Sequence, residues 1–548
     1  MMICGLQKSK ISILPDAFVI VALLFSFAMA RPFAHLTVMK ETAPHYGVYQ
    51  VQFSHSHLNF DPYLEHDLAV EWTQPDGETI TCEAFYDGEG IFKARAYCRQ
   101  RGEWRWRSVS RHSHLDGKFG SFTVIPSQLQ GKLQISKQDP YQFVYDNGTW
   151  FLHIGDTGYR YVVQSEPFWR DYIDQAAKSG ITKIRTWFCQ SRSTVEHLFV
   201  QDRSAPHLDY WQEIDRRIIY ALEKYPHIIL QLIPYGEDTE ELKRYAQGDQ
   251  MSQWVARYSQ ARWSAFPNIY WCVSNDRQIV QNPPLKGRQI LASTIDRIGR
   301  DMFRQETWNT LITNHQARFS GYDFLDAYWS QIITLEDLDQ VAGTIIQEYR
   351  PKGSHPVIND EDRYECYRDA GNKRYFFRRL MWASLLSGGH ATYGGLRTYE
   401  AYDGGDRRGV QGYYDACERG TLAQGAHDFN HIHEFFKKSG LDLIGMQPDD
   451  GFVSGDSLHF KCCHDDTDIL IYCANPTGST PRTDNPAAKK PQITVKLSAE
   501  KTLQTWFNPR TGEWRNGKDV SAGEHILEPP GNDRINWGDW LLWLHREI

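Results

Sequence analysis

The sequence predicts a mixed α/β fold, a central (β/α)8 TIM barrel flanked by N-terminal and C-terminal all-β sandwich domains. Three observations point there. Between about 141 and 443, short apolar runs alternate with amphipathic segments, whereas the flanking stretches are period-two in texture and rich in turns. The middle region holds eight such runs, the number that an eight-stranded parallel barrel requires. The runs are apolar along their length, as strands covered on both faces must be.

In chain order, Lys8 and Lys10 precede "AFVIVALLFSFAMA" at 17–30, which ends in the small-x-small pattern of a cleavage site. Residues 1–30 therefore read as a secretory signal, and the mature protein is expected to be secreted or periplasmic. That run is shorter than the roughly 20 residues that span a bilayer, so no membrane span is expected after cleavage. Residues 32–135 carry "YGVYQVQFSHS", "DLAVEWTQPDGETITCEAFYDGEG", "IFKARAYCRQRGEWRWRSV" and "GSFTVIP", short strands with Asp-Gly and Arg-Gly-Glu punctuation that predict an antiparallel sandwich.

The barrel is expected over 137–445. Its runs are "TWFLHIGDT" (149–157), "ITKIRTWF" (181–188), "HIILQLIPY" (227–235), "NIYWCVSND" (268–276), "NTLITNH" (309–315), "FLDAYWSQ" (324–331), "HPVINDE" (355–361) and "HATYGG" (390–395). Between them "EPFWRDYIDQAAKSG", "YWQEIDRRIIYALEKYP" and "QILASTIDRIGRDMFRQE" repeat apolar residues at three and four, as helices do. An open doubly wound sheet fits fewer units, and no Gly-x-Gly-x-x-Gly follows the first run. Residues 448–548 revert to strands, with "SLHFKCC", "DILIYCA", "QITVKLS", "LQTWFNPRTGEW" and "DWLLWLH", a second sandwich.

Net charge −8 and a pI near 6.2 leave no basic field for nucleic acid or an anionic membrane. Aromatics make up 14%, which serves large sandwich cores and sugar-stacking platforms alike. Of ten cysteines, Cys4 lies in the signal; Cys82 and Cys98 are placed to bridge neighbouring strands, and Cys189 and Cys272 read as free buried thiols. His427 and His431, one turn apart with His433 beyond, lack the intervening glutamate of a zinc-protease motif, and no cofactor or metal is expected.

Carboxylates close two of the runs. Strand ends of a barrel form its active-site mouth, so Asp276 at the end of run four and Glu361 at the end of run seven are expected to face each other there. Such a pair is the equipment of glycoside hydrolysis: one carboxyl, kept protonated, protonates the departing oxygen, and the other attacks the anomeric carbon. The plain alternatives are that Asp276 caps a helix and Glu361 pairs with Arg363.

"GDTGYR", "IYWCVSNDR", "HPVINDEDRYE" and "LLSGGHATYG" resemble the apiosidase-like glycoside hydrolase family, a clan A-type barrel. "AFYDG" and "GEWRWR" resemble the sandwich ahead of such barrels, and "TWFNPRTGEW" with "DWLLWL" the small, collagen-binding-like sandwich after them. Two departures stand out: Ser274-Asn275-Asp276 replaces the usual Gly-Gly-Asp, and Asp362 the usual proline. The resemblance implies a retaining hydrolase with Asp276 the acid/base and Glu361 the nucleophile. The signal adds secretion, and plant or algal polysaccharides or their oligosaccharides are the expected substrates, while the two departures keep the family's own substrate from carrying over.

Glu365 competes for the nucleophile's role. Asp156 is a candidate acceptor from sugar hydroxyls or a turn former, Asn275 a holder of the 2-hydroxyl, and His315 an orienter of either carboxylate. Trp187, Tyr235, Tyr328, Trp329 and Tyr393 are candidates for a stacking floor, in competition with barrel packing. The rival reading is a catalytically silent carbohydrate-binding protein on the same scaffold.

Overall fold

The computed structural model describes residues 41–548 except 56–57, 160, 163–165, 167, 189–197, 201–202, 237–239, 288, 319, 337–341, 366–372, 395–423, 456–459, 476–483, 486, 488–489, 500, 532–537 and 547–548. The segment expected to be a signal, residues 1–30, and Cys189 lie outside the described residues.

The barrel closes in the order β1 (Ile154–Thr157), β2 (Lys183–Trp187), β3 (Ile229–Ile233), β4 (Ile269–Cys272), β5 (Ile312–Gln316), β6 (Ile332–Glu336), β7 (Val357–Glu361) and β8 (His390–Tyr393), every pairing parallel. Helices pack outside it. They are α1 (Phe168–Lys178), α2 (Leu208–Lys224), α3 (Glu240–Ala246), α4 (Gln250–Trp263), α5 (Ala292–Gln305), α6 (Thr344–Tyr349), α7 (Lys373–Leu386) and α8 (Phe429–Ser439). In α2 the buried residues Trp211, Ile214, Ile218 and Ala221 recur at three and four, which lays one face on the strands. Asp249 caps α4 by accepting the Ser252 N–H at 2.8 Å. A hairpin of Leu133–Ile135 and Phe143–Tyr145 plugs the N-terminal end: Leu133, Phe143 and Tyr145 pack with Ile229, Tyr270, Leu311, Ile332 and Ile358.

One strand differs from expectation. The sixth strand is Ile332–Glu336, not 324–331, whose apolar residues instead form the turns that lead into it. The polar-looking "QIITLE" is the strand because its β-branched residues suit a pleat, while Asp326 interrupts the earlier run.

The N-terminal sandwich sets a five-stranded sheet, Thr42–Pro44 and Phe119–Ile125 followed by Gly102–Val109, Ala69–Thr73 and Thr79–Glu83, against the strands Val48–Ser54, Ile91–Tyr97 and Phe85–Tyr86. Trp72, Trp104, Phe92 and Phe122 fill it. Cys82 and Cys98 are both free, which corrects the expected bridge: Cys82 lies in the five-stranded sheet, where its sulfur takes the Trp72 Nε1–H at 3.0 Å, while Cys98 follows a strand of the facing sheet. Cys272 is a free buried thiol, as expected. This sandwich is joined to the barrel by charge. Arg95 lies 2.6 Å and Arg262 2.9 Å from Asp215 of α2, Arg262 also reaches Asp87 at 2.7 Å, and all four side chains are buried. Lys132 donates to Ser264 O at 2.6 Å, Phe266 O at 3.0 Å and Thr310 Oγ1 at 2.8 Å beneath the barrel.

The C-terminal sandwich pairs a six-stranded with a three-stranded sheet. Arg378 of α7 reaches its Asp539 at 2.6 Å. Among the described residues, no helix is long and apolar enough to cross a membrane.

Candidate active site

Two backbone irregularities build the mouth. Strand β7 holds an extra residue: Leu335 pairs with Asn359 but Glu336 with Glu361, so Asp360 is a bulge and the strand's alternation breaks there. Asp360 consequently reaches into the barrel, where it contacts Lys183 and accepts from Thr392 Oγ1 at 2.5 Å, while Glu361, next along, is buried at the mouth. Burial would raise the Asp360 carboxyl, but Lys183 and Arg185 outweigh it and hold the group well below the usual carboxylate range.

The second irregularity lies after β4. Asp276 is not on the strand, which ends at Cys272; the ladder continues through the bridges Tyr235–Ser274 and Arg277–Gln316, and Asn275 and Asp276 stand out of it. Asp276 takes a left-handed φ of +53°, a conformation that costs a non-glycine residue about 1–3 kcal/mol and collects at functional sites. Ser274 anchors the excursion, its hydroxyl donating to Asn314 Oδ1 at 2.8 Å and its N–H at 3.1 Å. Of the two carboxylates Glu361 is the more deeply buried: the aspartate side chain is 17% exposed, the glutamate 2%.

One oxygen of Asp276, one of Glu361 and a ring nitrogen of His315 lie within 4.8 Å of one another. Arg185 sits among them, Nη2 at 2.5 Å from Glu361 Oε2 and Nη1 at 2.8 Å from His315 Nε2. Its fixed positive charge disfavours a second cation in the same cluster, so this trio fits a metal poorly. Tyr159 donates to Glu361 Oε2 at 2.8 Å; its hydroxyl accepts from Arg185 Nη2 and, at 3.3 Å, from Asn275 Nδ2. Gly158 makes room for this turn, since a Cβ there would lie 2.2 Å from the Tyr172 hydroxyl. Burial, then the Asp276 charge, raises the Glu361 carboxyl against the pull of Arg185. Burial, then Arg185, pushes the His315 imidazole down to about 3, so it is neutral at ordinary pH.

The structure brings Asp276, Glu361, Asn275 and His315 together, with Trp187 one layer behind, its ring 5.1 Å from Tyr159. The other candidates are elsewhere. Asp156 points to the helix layer and accepts from Tyr172 of α1 at 2.6 Å, because alternation along β1 turns it outward. The buried Tyr235 donates to Ser252 O of α4 at 2.7 Å. Tyr328 and Trp329 precede β6 and pack on α5: Tyr328 against Phe303, Trp329 over Gly299 with its Nε1 donating to Asp296 at 2.9 Å. Tyr393 turns away from the mouth between Phe377 and Phe429 and donates to Glu365, a buried carboxylate that also accepts the N–H groups of Gln424 at 3.0 Å and Gly425 at 3.1 Å. Glu365 is therefore a tie between loops rather than a sugar ligand. His427, His431 and His433 diverge to Asp428, Glu434 and the Gly180 carbonyl.

Arg185, Tyr159 and the Lys183–Asp360 pair are absent from the sequence expectations. A signal existed in "ITKIRTWF": Lys183 and Arg185, two apart on one face of a strand buried on both sides, demand carboxylates inside the barrel.

Beside Asp276 opens a cavity of about 480 Å³, bounded by Gln278, Lys286, Gln289, Arg318 and Glu336. Part of its wall is the strand pair Gln278–Val280 and Gln289–Leu291.

Comparison with known proteins agrees with this fold. A family model for the apiosidase-like catalytic domain matches residues 137–441, and one for a domain of unknown function (DUF5060) matches 42–111. A candidate glycoside hydrolase from Bacteroides vulgatus superposes with a TM-score of 0.69 at 15% identity, over 93% of this chain and all of that one. A protein titled glycoside hydrolase gives 0.60 at 16% identity, over 76% of this chain and 97% of its own. A family 5 glycoside hydrolase from Bacteroides vulgatus gives 0.59 at 15%, over 76% and 94%. At these identities the likeness is one of fold. No curated protein matches the sequence. With more than half its length matched by the one family model, the chain belongs to the apiosidase-like family and carries a glycoside hydrolase barrel between two β-sandwiches.

Proposed function

We propose that the protein is a secreted, retaining O-glycoside hydrolase. The observation that carries this reading is the carboxylate pair, whose oxygens approach within 4.8 Å at the barrel mouth. Pairs about 5 Å apart leave no room for a water between them and sugar, and the second group attacks carbon directly; inverting pairs stand roughly 6.5–9.5 Å apart.

Asp276 is the acid/base, beside the cavity that would receive the leaving group, and Glu361 the nucleophile, its Oε2 held by Arg185 and Tyr159. Asn275, next to Asp276 in the chain and 3.3 Å from the Tyr159 hydroxyl, would hold the sugar's 2-hydroxyl. The proposed substrate class is a plant or algal polysaccharide, or its oligosaccharides, and an activity screen read by released sugar would identify it. The mechanism is tested by azide. Glu361→Ala should abolish turnover, and azide should partly restore it by entering the space left, giving a glycosyl azide of inverted anomeric configuration. Rescue of Glu365→Ala instead would overturn the assignment.

A further inference from the structure

His315 lies between two groups that restrict where its ring proton can be. At Nε2, 2.8 Å away, is Nη1 of Arg185. A guanidinium has donors only and keeps its charge at every accessible pH, so Nε2 must accept. A proton on Nε2 would set N–H against N–H at hydrogen-bond distance in a fully buried site. At the other edge of the ring, Nδ1 faces Asp276, 3.8 Å from its Oδ1 and 3.4 Å from its backbone nitrogen. The two contacts require opposite tautomers. The backbone N–H could bond only to a bare Nδ1, whereas Arg185 requires the neutral ring to carry its proton there, and 3.4 Å is long for such a bond. Asp276 Oδ1 is buried and has no donor among the described residues. A closure of under about 1 Å makes Nδ1–H that donor.

We infer that His315 is the Nδ1-protonated tautomer, fixed so by Arg185, and that it is a positioning residue which holds Asp276 by Oδ1 and leaves the transferable proton on Oδ2. The inference rests on the reading of Asp276 as the acid/base only for its second half. With Oδ1 taken, the proton passes from Oδ2 to the glycosidic oxygen as the C–O bond breaks and its electron pair goes to that oxygen, while Glu361 bonds to the anomeric carbon. The same guanidinium touches Glu361, so the chain Glu361–Arg185–His315–Asp276 connects nucleophile and acid through three contacts. Loss of the Glu361 charge on forming the glycosyl ester would release Arg185 toward Nε2 and strengthen the grip on Asp276 as it turns from acid to base.

The tautomer can be read without a substrate. In protein labelled with ¹⁵N-histidine, the His315 resonances, assigned by their loss in His315→Asn and in His315→Gln, should show a bonded proton at Nδ1 and none at Nε2 at neutral pH. A proton at Nε2, or one on each nitrogen, overturns the inference whatever Asp276 does. The positioning half is read by two variants that keep different halves of the ring. His315→Asn places an amide N–H where Nδ1 stood, and His315→Gln places a carbonyl where Nε2 stood. On aryl glycosides of graded leaving-group ability, His315→Gln should slow the poorest leaving groups by about 10² more than the best, within the 10²–10⁴ that general acid catalysis contributes. His315→Asn should stay within about tenfold of wild type. Equal losses on all leaving groups in both variants, with unchanged melting temperatures, would reduce His315 to a structural residue. If Asp276→Asn itself shows no leaving-group dependence, the acid assignment fails, and the tautomer measurement still stands on its own.

Discussion

Arg185 Nη2 lies 2.5 Å from Oε2 of Glu361, with both side chains sealed from solvent. Two opposed influences therefore act on that carboxylate: burial and the Asp276 charge disfavour its ionised form, and Arg185 favours it. In the proposed mechanism their balance sets the acidic limb of activity.

The sign of each can be tested. The limb of kcat/KM should fall where the carboxylate pair takes up a proton in the free enzyme. Asp276→Asn removes a negative charge and should move its midpoint to lower pH, measured on an activated aryl glycoside; Arg185→Met removes the opposing cation and should move it to higher pH. Shifts in the reverse directions would contradict the electrostatic account.

Tyr159→Phe deletes one hydrogen bond to a charged carboxylate and leaves the ring against Trp187. Such bonds contribute about 1.5–3 kcal/mol, so kcat/KM should drop roughly 10- to 100-fold with little change in melting temperature. A drop confined to KM would mean that the hydroxyl binds sugar rather than Glu361.

Acid should loosen the N-terminal sandwich from the barrel. Burial alone would raise the Asp215 carboxyl, but Arg262 and Arg95 hold it well below the usual carboxylate range. A folded-state pKa depressed in this way contributes stability that is fully present above the unfolded value, about 3.9, and is lost as pH falls toward the folded one. The melting temperature should accordingly decline below about pH 5. Asp215→Asn leaves two buried guanidiniums short of an anion and should cost about 3–5 kcal/mol at neutral pH, with a flatter acid dependence. An unaltered acid profile in the variant would remove Asp215 from the account.

Because Cys82 and Cys98 are free, Cys82→Ser and Cys98→Ser should each destabilise equally with and without reductant, as judged by thermal melts. A reductant-dependent difference would restore the bridge.

The sequence made the barrel legible because strands covered on both faces announce themselves by composition, and it made the carboxylate pair legible because a charge at the end of such a strand has few explanations. It was less informative about direction. Asp156, Tyr235 and Tyr393 are all near strand ends, yet each faces the helices, and a one-residue bulge at Asp360 suffices to alter which β7 side chains enter the barrel. Glu365 and Trp329 were misplaced because their partners, the Gln424 and Gly425 amides and Gly299, are far away in the chain. Arg185 and Tyr159 were readable in principle, since a buried cation obliges a buried anion.

Lys132 has a consequence for how the protein can be divided. The family model begins at 137, after a residue whose ammonium satisfies three acceptors at the foot of the barrel, and Arg95, which neutralises Asp215, is further upstream still. Cut at the model's boundary, the hydrolase segment would lose the ligands of its own carbonyls and half the counter-charge of its second helix, while the hairpin strand Leu133–Ile135 would leave the barrel floor open. The segment that must be expressed for the barrel to keep its own contacts is thus larger than the catalytic domain and includes the sandwich.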